Sequence, residues 1–142
     1  MTTKTLLACL AIVAGLFLTP HHPALAQSSA TKPEVFFLSP QDGATVSNPV
    51  LVRFGLKNMT VAPAGVDKPG TGHHHLLVDA PLPPLDEPIP NDDNHLHFGK
   101  GQTETELRLT PGKHTLQLLM GDWTHIPHQP PVYSQPITIF VK

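Results

Sequence analysis

The segment EVFFLSPQDGATVSNPVLVRFGLKN, residues 34–58, shows the alternation of strand-forming and turn-forming residues that decides the fold. Two runs rich in β-branched and aromatic residues, Glu34–Leu38 and Val50–Leu56, predict strands. Between them, Pro40–Gly43 has the composition of a turn, because proline and glycine favour backbone angles that strands avoid. The segment therefore predicts two strands joined by a turn-rich connection.

Five more runs of this kind follow, at His73–Asp79, His95–Phe98, Thr103–Leu109, His114–Met120 and Ile137–Val141. No window shows a sustained helical period, and the 17 prolines of the chain would break most helices. We therefore predict an all-β fold, a single antiparallel immunoglobulin-like β-sandwich of about seven strands with long proline-rich loops. The long loops are expected at Asn58–Gly72, Ala80–Asn94 and Gly121–Pro131.

The N-terminus has the features of a secretory signal. Lys4 precedes the apolar run Thr5–Leu18, and Ala24-Leu25-Ala26 is a small-x-small cleavage pattern. We expect a cleaved signal peptide at 1–26, a flexible leader at 27–33 and one domain at 34–142, in the periplasm or secreted. The apolar run is shorter than the roughly 20 residues that span a bilayer, so no membrane span is expected in the mature protein. Cleavage would remove Cys9, the only cysteine, and with it any disulfide or thiolate ligand.

Composition limits the possible partners. The formal net charge is −2 with neutral histidines, and no basic stripe is present, which argues against nucleic acid as a partner. Histidine is the unusual component: ten are present, and eight of them follow residue 26.

The histidines are spaced as strand alternation requires for a shared face. Side chains two residues apart on a strand point the same way, with Cα atoms about 6.5 Å apart. His73 and His75 therefore share a face opposite to His74, and His95 and His97 form a second such pair. Two imidazoles at this spacing can reach one ion.

Strand direction adds a second argument. If successive strands run up and down, the alternation gathers one set of side chains at one end of the sandwich, with His95 slightly lower: His73, His75, His97, Asp122, His125 and His128. His114 falls at the opposite end and is expected to be structural. His74 is expected to be a core-edge histidine with one hydrogen bond.

These residues suggest a metal site for Cu(II) or Zn(II), since both ions suit imidazole with a carboxylate as an accessory ligand. His73, His75, His95 and His97 would be the primary ligands, and His125, His128 or Asp122 would complete or gate the site. Asp122, Glu104 and Asp79 are candidates to accept a hydrogen bond from a ligating ring. Protons should compete with the metal as the pH falls through about 6.5.

Other interpretations stay open. His73 and His75 would lie on a solvated face if no loop covers it, and His125 and His128 stand in a proline-rich loop where exposed histidine is common. Trp123 suits either a stacking surface or a lid on the core. The stretch Gln102–Glu104 fits a polar pocket or a strand cap, and the acidic residues 85–94 fit a solvated loop better than a calcium site.

Enzyme chemistry has little support. The chain has no His-Glu-x-x-His, Gly-x-Ser-x-Gly or phosphate-cradling glycine motif, so we expect no catalytic residues. The alternative to a metal carrier is a non-catalytic adhesion or scaffold module that recognises a periplasmic protein or a cell-wall glycan through the histidine-rich end. A zinc-dependent hydrolase is a third hypothesis, without an indicated substrate.

Four stretches carry a resemblance to a known family: VFFLSPQDGATVSNPVLVRFGL, GVDKPGTGHHHLLVD, PLPPLDEPIPNDDNHLHFGKGQTET and PGKHTLQLLMGDWTHIPHQPPVYSQPITI. Together they resemble DUF4399, a bacterial exported family known as a domain of unknown function. The resemblance implies a periplasmic β domain and no established activity. The opening SPQDGATV and the histidines are also similar to small periplasmic copper-binding β-sandwich proteins, a weaker similarity that favours copper slightly.

Overall fold

The computed structural model describes residues 31–142, so the predicted signal peptide and most of the predicted leader lie outside the described residues. Within this range every regular element is a strand. The strands are β1 Glu34–Ser39, β2 Thr45–Val46, β3 Val50–Lys57, β4 Thr60–Val61, β5 Thr71–Val78, β6 His95–His97, β7 Glu104–Leu107, β8 Gly112–Gly121 and β9 Ile137–Val141. With no helix among residues 31–142, none there can cross a membrane.

The strands form two sheets. The smaller sheet has the order β1-β3-β7 and is antiparallel. The larger sheet has the order β2-β9-β8-β5-β4, and β6 also pairs with β5. β4 pairs with the first two residues of β5, whereas β6 pairs with His75–Leu77, so β5 has neighbours along most of its length.

The main core lies between the two sheets, where alternate residues of each strand point inward. Val50, Val52 and Phe54 of β3 are buried there and face Leu116 and Leu118 of β8. Strand alternation explains why these residues are the buried ones, because the residues between them point to the outer faces of the sheets. One apolar cluster thus connects the two sheets.

A second, smaller apolar cluster covers the outer face of the larger sheet. Leu77 of β5 and Leu119 of β8 are fully buried there against Ile89, with Leu82 and Leu85 packed around them. The last three residues belong to the connection between β5 and β6. This connection therefore lies over the outer face, and all eight residues of β5 are buried.

The all-β class is confirmed, and the seven predicted strands are present with every boundary within two residues of its prediction. The predicted number was wrong, because residues 31–142 form nine strands. The two additional strands, β2 and β4, are Thr-Val pairs of two residues each, too short to show periodicity in the sequence. Both pair in parallel, with β9 and β5 respectively, so the predicted purely antiparallel arrangement is corrected.

Candidate metal centre

β5 directs two histidines to the outer face of the larger sheet. His73 and His75 lie on the same side as Leu77, opposite to His74, as strand alternation requires. The relative exposure of His73 is 0% and that of His75 is 1%. The interpretation of a solvated strand face was therefore wrong, because the loops that cover this face bury both rings almost completely.

β6 adds a third ring through its register with β5. His97 stands directly opposite His75, and Leu96 stands opposite Leu76 in the main core. The imidazole centroids of His75 and His97 are 5.1 Å apart, and those of His73 and His97 are 5.0 Å apart. Cross-strand pairing thus brings His97 against both histidines of β5.

The fourth ring comes from the turn that follows β8. The Oδ1 atom of Asp122 accepts hydrogen bonds from the Thr124 amide at 2.8 Å, the Thr124 hydroxyl at 2.7 Å and the Ile126 amide at 3.0 Å. His125 adopts a φ of 70° inside this turn, in the left-handed region that non-glycine residues rarely occupy. Its carbonyl accepts a hydrogen bond from the Ile89 amide at 2.8 Å. Asp122 therefore fixes a strained turn that presents His125 to the cluster.

These four rings, which we call the His cluster (His73, His75, His97 and His125), meet at short range. One ligand nitrogen from each of His73, His97 and His125 lies within 4.8 Å of the other two. The Nε2 atoms of His73 and His75 are 3.1 Å apart. Two nitrogen ligands of one metal, with bonds of about 2.0–2.1 Å, lie about 3.3 Å apart in a tetrahedral site and about 2.9 Å apart at adjacent corners of a square. The spacing of the first two rings suits either geometry.

Glycine at position 121 provides the space that one ring occupies. A Cβ atom added to Gly121 would lie 2.9 Å from Nε2 of His75, closer than real Cβ contacts allow. Gly99 has the same relationship to the ring of His97. Single-sequence reasoning missed both glycines, because neither turn nor strand patterns indicate which ring a missing side chain makes room for.

The buried cluster favours neutral imidazole. Burial and the neighbouring His97 and His125 lower the pKa of His73 to about 4. Burial and the neighbouring rings, with His73 the largest contributor among them, lower the pKa of His75 to about 2. Burial and His125 also lower the pKa of His97. At neutral pH these rings have free lone pairs, which is the form that binds a metal.

The rings do not satisfy one another's hydrogen-bonding groups. A neutral imidazole has one donor and one acceptor. In the contact between His73 and His75, the ring that accepts at Nε2 must carry its proton at Nδ1, and both Nδ1 atoms are buried without a partner. Nε2 of His97 is buried without a partner as well. Unmet groups of this kind cost about 1–3 kcal/mol each, so the arrangement has no explanation in stability alone.

Three predicted ligands lie outside the His cluster. Nδ1 of His95 is 2.8 Å from Oδ1 of Asp92, and His95 pairs with Leu77 rather than with a histidine. The ring of His128 packs against Gly72, where an added Cβ atom would lie 2.6 Å from its Nε2. Asp122 holds the turn around His125. The structure therefore brings together four of the seven predicted site residues.

The carboxylates expected to accept from ligating rings are bonded elsewhere. Asp79 accepts from Nδ1 of His114 at 2.6 Å and from the amide of Thr115 at 2.7 Å. Glu104 pairs with Arg53 on the smaller sheet at 3.1 Å. The hydrogen bonds of Asp122 serve its own turn. The expectation of carboxylate acceptors for the ligating rings is therefore wrong for Asp79 and Glu104.

The remaining two histidines of β5 and β8 belong to the framework. His74 is fully buried against Phe54, with ring centroids 5.1 Å apart, and burial lowers its pKa to about 4. Neither of its ring nitrogens makes a hydrogen bond of standard geometry, contrary to the single bond expected. His114 bonds to Asp79 and to the Thr110 carbonyl, and the Asp79 bond is the main cause of its raised pKa.

The sequence also left the roles of Trp123 and Gln102 open. Trp123 is 46% exposed, so it is not a lid on the main core. Gln102 accepts a hydrogen bond from the amide of Lys100 and caps the turn before β7.

A family model described as Domain of unknown function (DUF4399) matches residues 52–142. The chain belongs to this family. Comparison with curated proteins and with solved structures gave no match. The DUF4399 match begins within β3 and includes all four residues of the His cluster together with Asp122 and Gly121. The candidate metal centre therefore lies entirely inside the part of the chain that matches the family.

Proposed function

We propose that this DUF4399 protein binds a Zn(II) or Cu(II) ion through His73, His97 and His125, with His75 as a fourth nitrogen ligand. The observation that carries the proposal is the convergence of three ring nitrogens, from three separate segments, within 4.8 Å of one another. Chance proximity of exposed histidines does not account for it, since the rings of β5 are buried and neutral at pH 7.

The donor set favours zinc or divalent copper. All four donors are imidazole nitrogens, which both ions accept, and the 3.1 Å contact between His73 and His75 lies between the tetrahedral and square arrangements. Monovalent copper prefers sulfur ligands. Met120 is fully buried in the main core and Met59 packs against it, so neither thioether lies at the cluster.

The proposal includes a non-catalytic role in the periplasm or outside the cell, based on the predicted signal peptide at 1–26. It also treats the two facing sheets as an immunoglobulin-like sandwich, in keeping with the weak similarity to small copper-binding proteins. An adhesion or scaffold role through exposed histidines has less support, because His73 and His75 present no surface to a protein or glycan.

Calorimetric titration of untagged, metal-free protein with Zn(II) and with Cu(II) tests the proposal. We expect saturable binding of about one ion per chain. Elemental analysis of protein purified without a chelator should show which ion it acquires. Absence of saturable heat with both ions at micromolar protein would contradict the proposal.

β6 offers a matched pair of variants. His97→Gln removes a ring of the His cluster, whereas His95→Gln removes a ring from the same strand and face that bonds to Asp92 instead. We expect His97→Gln to weaken metal binding by at least about tenfold and His95→Gln to leave it unchanged. Equal effects of the two substitutions would show that the metal binds elsewhere.

A further inference from the structure

One side of the His cluster borders a pocket. A pocket of about 380 Å³ lies against it, lined by His75, His97, His125, Pro88, Ile89 and Asn91. His73 is not part of this lining and lies fully buried beneath the other rings. The pocket therefore gives solvent access to the rings of His75, His97 and His125.

The lining is uncharged when its histidines are neutral. Pro88 and Ile89 supply apolar surface, and the amide of Asn91 supplies a donor and an acceptor at the exposed rim. The loop that contains these residues also carries Asp86, Glu87, Asp92 and Asp93, but none of those four lines the pocket.

A divalent ion at the His cluster would bring two positive charges into this neutral, largely buried environment. Buried charge is costly unless it is compensated. Asp122 is the carboxylate that acts on the charge of His73, and it supplies at most one negative charge. Its Oδ1 atom already accepts three hydrogen bonds, and it is not among the side chains whose ligand atoms converge. At least one positive charge would stay uncompensated.

We propose that the metal, held by the four rings, takes a fifth ligand on the side of this pocket, and that a small anion supplies it by donating a lone pair to the metal. The complete ligand of the protein is then a metal ion together with an anion of a few atoms. This inference rests on the proposed function, since it needs the metal at the His cluster. The pocket volume is near the lower end of the roughly 300–1,000 Å³ of small-molecule sites, so an anion of a few atoms fits in it.

Azide is a suitable probe, because it is a small linear monoanion that ligates both Zn(II) and Cu(II). Untagged protein is first saturated with whichever of the two ions binds, and azide is then titrated in the calorimeter. For Cu(II), a new azide-to-copper charge-transfer band should grow in parallel with the heat. We expect saturation at one azide per bound metal, and no heat from azide in metal-free protein.

Asn91 provides a pair of variants that tests whether the anion occupies the pocket. Its side chain is exposed and lines the rim, so Asn91→Asp and Asn91→Lys should fold like the parent protein. A negative charge at the rim should weaken azide binding by about three- to tenfold, and a positive charge should strengthen it by a similar factor. Both variants should still bind the metal.

Each outcome has a definite meaning. Metal binding without any response to azide would overturn the inference and leave the proposed function intact. An azide response that neither Asn91 variant alters would also overturn it, because the anion would then bind away from the pocket. Failure to bind Zn(II) or Cu(II) would overturn both proposals together.

Discussion

The Nε2 atom of His75 lies 3.1 Å from the Nε2 atom of His73, although the two residues are neighbours on one face of a single strand. Adjacent side chains on a strand face normally stand about 6.5 Å apart at their Cα atoms. The two rings therefore lean towards each other, and the lean is made possible by Gly121, which faces His73 across the sheet and has no side chain to block the ring of His75.

The stability of the metal-free protein should fall as the pH is lowered. The folded-state pKa values of His73 and His75 are depressed from 6.5 to about 4 and about 2, so the unfolded chain binds more protons than the folded chain in acid. Because of this proton linkage, the free energy of unfolding should begin to fall near pH 6.5. At pH 4 it should be lower by about 3 kcal/mol for each ring. Urea unfolding midpoints from pH 7.5 to pH 4 provide the measurement.

His114 supplies the control for this pH dependence. Its bond to Asp79 raises its pKa in the folded state. His114 therefore stabilises the fold at a pH below its unfolded-state pKa of 6.5, and this stabilisation disappears as the pH rises through its folded-state pKa. A His114→Gln variant should lose stability mainly at acidic pH while retaining the acid loss caused by the cluster. A stability curve that rises towards pH 4 in the parent protein would contradict the role assigned to the cluster.

His73 and His75, with pKa values of about 4 and about 2, should cause little proton competition with the metal between pH 7 and about pH 5. For these two rings, proton competition should begin at a lower pH than the value of about 6.5 expected for unperturbed histidine. Titrations in two buffers of different ionisation enthalpy would count the protons released on binding. Release of three or more protons at pH 7 would show that these rings are charged before the metal arrives.

Asp122→Ala should weaken metal binding by about ten- to a hundredfold, because the turn that presents His125 loses three hydrogen bonds. Asp92→Ala is the matched control. Asp92 also accepts backbone hydrogen bonds at a turn, from the amides of Asn94 and His95, but that turn supplies no ring to the His cluster. Calorimetry should separate the two variants, and circular dichroism should show that both are folded.

If the Asp122 variant bound metal as tightly as the Asp92 variant, the turn would not position a ligand. A double variant with His125→Ala refines the test. Once the ring of His125 is absent, removing Asp122 should cause little further loss of affinity.

Gly121→Ala should reduce metal affinity by displacing the ring of His75 from its position next to His73. Gly55→Ala is the comparison, since an added Cβ atom there meets the ring of Phe36 on the smaller sheet. Both substitutions should lower the thermal unfolding temperature through crowding. Only Gly121→Ala should alter the calorimetric titration with metal. If both substitutions lowered metal affinity equally, the cause would be a general loss of stability and not the displacement of the His75 ring.

Part of the site could be predicted because it depends on local periodicity. Strand alternation places His73 and His75 on the same face of their strand. It also places His95 and His97 on the same face of theirs, and neither assignment needs the rest of the molecule. The choice of His97 over His95 could not be made in this way. It depends on the register that sets His97 opposite His75, and this register is a property of the paired strands.

The burial of the cluster could not be predicted either. It depends on the connection between β5 and β6, which turns Leu82, Leu85 and Ile89 onto the outer face of the sheet. Their spacing of three and then four residues matches a helical period, but prolines surround them, so the segment has the composition of an exposed loop. The same burial explains why unperturbed histidine pKa values were a poor guide to this site.

The complete enclosure of β5 has a kinetic consequence. His73 and His75 are anchored in the most protected strand of the protein, whereas His97 is on a three-residue strand and His125 is in a turn. An arriving or departing ion would exchange through local opening of the second pair, on a timescale far shorter than that of global unfolding. Two of the four protein ligands would thus stay in place, and the other two would move to let the ion enter or leave.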